Sequence, residues 1–146
     1  MKLYISYFGQ MRNFTDNMLP ISTVKWDQAW FKGMERIDEL VMPDSYVRDL
    51  ETTDTMCRKN CPLQAPCGFM RKYKEYLDTL DFDKILTKLF LLSLKYPLTD
   101  TIVLMVYEKS DVPCAERPVL QEWFAEHGIK LVEWTKPIVQ KEKALF

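Results

Sequence analysis

Residues 101–134 read TIVLMVYEKSDVPCAERPVLQEWFAEHGIKLVEW, and the order of patterns in this stretch decides the fold. Ile102–Tyr107 is nearly all apolar, as expected of a central strand covered on both faces. A short polar loop follows. Then comes an amphipathic helix with Leu120, Trp123, Phe124 and His127 as its inner stripe. Pro118 suits the first helical turn, where a missing N–H costs nothing, and Gly128 is a stop signal. Ile129–Trp134 reads as the next strand. A helix between two strands implies parallel pairing, hence an α/β sheet with helices packed on it.

The same grammar extends to the rest of the chain. Lys2–Phe8 is rich in β-branched and aromatic residues and reads as the first strand, ended by Gly9. Residues 19–25 read as a second strand, and WDQAWF at Trp26–Phe31 as an aromatic turn or short helix. Met34–Leu50 is ambiguous: Pro43 breaks any long helix, and Asp44 or Ser45 suits a helix start after it. Residues 51–67 form a polar insertion loop carrying three of the 4 cysteines. Phe69, Tyr73, Tyr76, Leu77 and Leu80 then fall on one face of a helix. Asp81 is placed to cap the next helix, whose apolar face is Phe82, Ile85, Leu86, Leu89 and Phe90, with Pro97 ending it. Residues 137–146 read as a peripheral tail. The expectation is one small Rossmann-like domain over residues 1–146, with a mostly parallel sheet of about four strands flanked by helices.

Bulk properties narrow the function. A length of 146 residues suits one domain with a real core. A net charge of -1 supplies no general attraction to nucleic acid, although a local basic patch is compatible with it. MKLYISYFGQ lacks the pattern of a signal peptide, and no apolar run approaches the ~18 residues of a membrane span. The expected setting is cytoplasmic, where cysteines stay reduced.

In open α/β sheets ligands sit beyond the carboxyl ends of the strands. The loop there carries Glu108, Cys114, Glu116 and Arg117, just before a helix start whose N–H groups favour an anion or a thiolate. Three readings stay open. Arg117 and the helix end can bind a phosphate or carboxylate. Cys114 can act as a nucleophile, with Glu108 or Glu116 as proton acceptor and Arg117 as the adjacent cation. Or Cys114 is a small buried residue and Arg117 is solvated. A phosphatase loop is excluded, because its arginine lies farther from its cysteine than Arg117 lies from Cys114. No glycine-rich phosphate loop is present.

Tyr7, Phe8, Arg12, Lys25, Trp26 and Trp30 follow the carboxyl ends of the first two expected strands, on the same side as Glu108, Tyr107 and Cys114. Aromatic planes with cations suit a nucleobase and its phosphate, and core packing is the bland alternative. In CRKNCPLQAPC, Cys57, Cys61 and Cys67 could hold a structural zinc ion, with Cys114 or His127 as fourth ligand. The other reading is a set of reduced thiols.

YISYFG, ISTVKWDQAWF, YKEYLDTLDFDKILTKL and IVLMVYEKSDVPCAERPVLQEWFAEHGIKLVEW, in this order, resemble the domain-of-unknown-function 488 family, in particular its short members from phages and bacteria. The resemblance covers most of the chain. It implies a compact Rossmann-like domain with Tyr107, Glu108, Lys109, Cys114 and Arg117 as signature positions, and it implies no particular reaction. The chain departs from the family pattern at Val106, where a cysteine is frequent, and at Ala115 and Glu116, where Cys-His-Arg is frequent. Chemistry needing an imidazole in that loop has no donor, since His127 is the only histidine. The leading expectation is a protein that binds, or modestly processes, a nucleotide, nucleobase or nucleic acid. The alternatives are a thiol-dependent transferase or hydrolase using Cys114, and a phage accessory protein that binds a host protein.

Overall fold

A computed structural model describes residues 1–25, 34–43, 68–107 and 115–136, the side chains of 68 and 69 excepted. The expected turn at Trp26 and Trp30, the helix start at 44–45, the 51–67 loop, residues Glu108 and Cys114, and the 137–146 tail lie outside the described residues.

Five strands form one parallel sheet: β1 (Lys2–Tyr7), β2 (Met18–Ser22), β3 (Glu35–Arg36), β4 (Thr101–Val106) and β5 (Val132–Glu133), in the order β3-β2-β4-β1-β5. Among the described residues three helices flank them: α1 (Gly68–Asp78), α2 (Phe82–Ser93) and α3 (Glu116–Glu126). The expected α/β class with a Rossmann-like layout is observed. The strand not foreseen is β3, a two-residue edge strand, Glu35–Arg36, with no apolar alternation to betray it.

β4 is central and buried at every position, which explains its unbroken apolar run. Its side chains alternate between two cores. Ile102, Leu104 and Val106 join Ile5 and the apolar faces of the three helices. Val103 and Met105 join Phe8 and Val24 on the other face, beneath the 3-10 turn Phe8–Asn13. Pro20 is tolerated in the interior strand β2 for a geometric reason. Ser22 offers its carbonyl to the amide of Ile37, on the β3 side, so Pro20 faces that side too. β3 pairs only from Ile21 onward, so Pro20 withholds no ladder bond.

Local signals explain the helix ends. Asp81 caps α2, its carboxylate accepting from the Lys84 amide at 3.3 Å. The α2 winding continues as a tighter turn after Ser93, with Tyr96 N–H donating to the Ser93 carbonyl, and stops before Pro97. At the end of α3, Gly128 has φ +85. Its amide donates to Ala125 O and that of Ile129 to Phe124 O, both at 3.0 Å, closing the helix in a left-handed cap.

Two expected core positions are corrected. Phe90 is 50% exposed, so it stands off the core-facing side of α2, which continues through Leu92 and the buried Ser93. His127 is exposed rather than part of the α3 inner stripe. It is the cap residue with non-helical backbone, and its ring stacks on Phe82 at 4.2 Å. Met70 on α1, fully buried, was not foreseen as core. No helix among the described residues is long and apolar enough to cross a membrane.

Candidate ligand site at the carboxyl edge of the sheet

Strand order creates the site. From the end of β1 the chain runs to β2, on the far side of β4. From the end of β4 it runs through α3 to β5, on the far side of β1. Two adjacent strands thus send their connections in opposite directions. That is a topological switch point, the kind of place where open α/β sheets hold ligands, and the carboxyl ends of β1 and β4 lie side by side there.

Several residues singled out in the sequence meet there. Tyr7 ends β1, paired with Val106 at the end of β4, and Tyr107 follows directly. The Phe8 and Tyr107 rings lie 5.6 Å apart at 42°. Phe8 is 3% exposed and belongs to the core, whereas Tyr7 and Tyr107 are half-buried. Gly9 holds Tyr7 in place: a β-carbon at position 9 would stand 2.8 Å from the tyrosine ring. Gln10 Nε2 donates to the Tyr7 hydroxyl at 3.1 Å. Arg12 is exposed on the turn that follows β1.

One strand further out lies a concavity of ≈ 360 Å³. Lys25, Arg36, Asp38, Met42 and Tyr76 line it. The adjoining turn is held by two tyrosines of α1. Tyr73 donates to Leu40 O at 2.5 Å and Tyr76 to Glu39 O at 2.6 Å, which fixes the turn Asp38–Leu40. Burial, reinforced by the Glu116 charge, raises the Tyr73 phenol well above its ordinary range, so it stays a donor. Arg36 Nη1 donates to the Lys25 carbonyl at 2.9 Å and ties β3 to the end of β2.

The start of α3 carries the third part. Its N-cap is Ala115, which offers no side-chain acceptor to the first helical amides. Arg117 is 3% exposed, so it is not solvated. Its Nε lies 2.8 Å from Glu133 Oε1 on β5, an ion contact out of line for a hydrogen bond. Arg117 is therefore engaged by a carboxylate of the protein itself. Burial raises the Glu133 carboxyl above its ordinary value, and Arg117 opposes that rise. Glu133 was missed in the sequence; its signal was a lone acid inside the apolar run of the last strand.

Glu108, Cys114, Trp26 and the Cys57, Cys61 and Cys67 cluster lie outside the described residues. Among the described residues no three His, Cys, Asp or Glu side chains converge as metal ligands. His127 closes the opposite end of α3, roughly 15 Å of helix from Arg117. No protein-family model, curated protein or solved structure matches the chain.

Proposed function

We propose that the carboxyl edge of the sheet binds a nucleotide or nucleobase, free or within a nucleic acid, and that the chain is a divergent relative of the family it resembles. The observation that carries the reading is the switch point between β1 and β4, the place where open α/β sheets hold their ligands. The half-buried Tyr107, packed against Phe8 at the end of β4, supplies a ring for a base to stack on. The exposed Arg12 and the first amides of α3 supply positive potential for phosphate. The neighbouring concavity is within the size range of small-molecule sites, ~300–1,000 Å³.

A ligand that binds only the folded state stabilises it. At a hundredfold excess over Kd the gain is about 2.7 kcal/mol, a rise of roughly 5–10 °C in Tm for a domain of this size. Thermal melts with nucleosides, mononucleotides and short oligonucleotides are expected to show such a rise for at least one class, reduced by Tyr107→Ala. Melts that stay unchanged across all three classes would remove the reading.

A further inference from the structure

A second site lies at the opposite, amino edge of the sheet. Its cavity has a volume of ≈ 420 Å³ and is lined by Leu3 and Ile102 from the starts of β1 and β4, Leu86, Leu89 and Phe90 from α2, and Ile129 before β5. The floor is fully formed, with Leu89 and Ile102 at 1% and 2% exposure, and Phe90 stands half out of the surface at the rim. The cavity is thus a gap in the helix-side core among the described residues. Met1 also lines it, and among the described residues Lys130 is the one charged side chain that does; Lys130 is exposed and has no ion-pair partner among them.

We infer that this cavity binds a single-chain carboxylate amphiphile, a free fatty acid, with its chain among the leucines and isoleucines and its head group at the Lys130 ammonium. Two independent features select that class. Volume and lining match an apolar ligand of modest size, for which pockets of ~300–1,000 Å³ with few polar groups are typical. An unpaired cation at the border of that lining complements an anionic head and opposes a cationic one. The site shares no residue with the carboxyl-edge crevice, so either proposal can fail alone.

Isothermal titration of the unmodified protein with octanoate, decanoate and dodecanoate, below their micellar concentrations, tests the inference. Affinity is expected to rise about fourfold per added methylene, the equivalent of ~0.8 kcal/mol, until the cavity is full. Lys130→Glu is expected to weaken dodecanoate by about fivefold, the upper end for an exposed ion pair, and to leave dodecanol unchanged. Leu86→Trp, checked for folding by circular dichroism, is expected to block both ligands. The inference is overturned if none of the carboxylates binds, if affinity is independent of chain length, or if Lys130→Glu leaves dodecanoate binding intact. Sedimentation that reveals a dimer in which the cavity is closed by a second copy, with no dodecanoate bound, also overturns it.

Discussion

Replacing Arg117 by methionine is expected to destabilise the protein by about 3–5 kcal/mol at pH 7, because it strands a carboxylate beside the sheet. Glu133 is 17% exposed at its side chain and has Arg117 as its cationic partner at 2.8 Å. Removing the guanidinium removes the influence that holds its pKa down, so the upward effect of burial acts alone. The sign with pH follows. A carboxyl whose folded value is raised contributes most below its ordinary value of 4.5, and that contribution is lost as pH rises through the raised value. The penalty in Arg117→Met should therefore shrink on acidification toward pH 4.5, as Glu133 takes a proton. Urea denaturation at the two pH values checks it. The double variant Arg117→Met with Glu133→Leu should recover much of the loss, since an apolar pair can replace a buried ion pair. A penalty that is the same at both pH values would mean that Arg117 matters only for packing.

Trp123→Ala is expected to cost about 3–5 kcal/mol, as large aromatic truncations in cores do. Trp123 is fully buried on α3, with Phe82 at 5.0 Å, Phe124 at 5.6 Å and His127 at 5.4 Å. It thus joins α3 to the start of α2. Typical domains have only ~5–15 kcal/mol of total stability, so the variant should melt more than 10 °C lower or fail to fold. Trp123→Phe should keep most of the stability, because the ring stack survives. Comparable melting of the alanine variant and the parent would show that the α2–α3 junction is not a pillar of the core.

The two variants probe features of different legibility. Trp123 was visible as core from the helical spacing of Leu120, Trp123 and Phe124. The cap at Asp81, the stop at Gly128 and the buried strand Thr101–Val106 were equally plain, because each is a local rule. The Arg117–Glu133 contact was not, since it joins positions on two elements whose approach is set by tertiary packing. Strand order was hidden for the same reason. Nothing local states that β4 inserts between β1 and β2, and that insertion brings Phe8 against Tyr107. Helical spacing also overreached at Phe90, which lies beside the core-facing stripe of Ile85, Leu89, Leu92 and Ser93 rather than on it.

The central claim is that the switch-point crevice is the ligand site. It is tested most directly by titrating isotopically labelled protein with adenosine monophosphate and following the backbone amide resonances. The account predicts saturable shifts concentrated at Tyr7, Phe8, Tyr107 and the first residues of α3, with the amino edge around Leu86 and Phe90 unchanged. Shifts confined to the amino edge, or none that saturate, would contradict it.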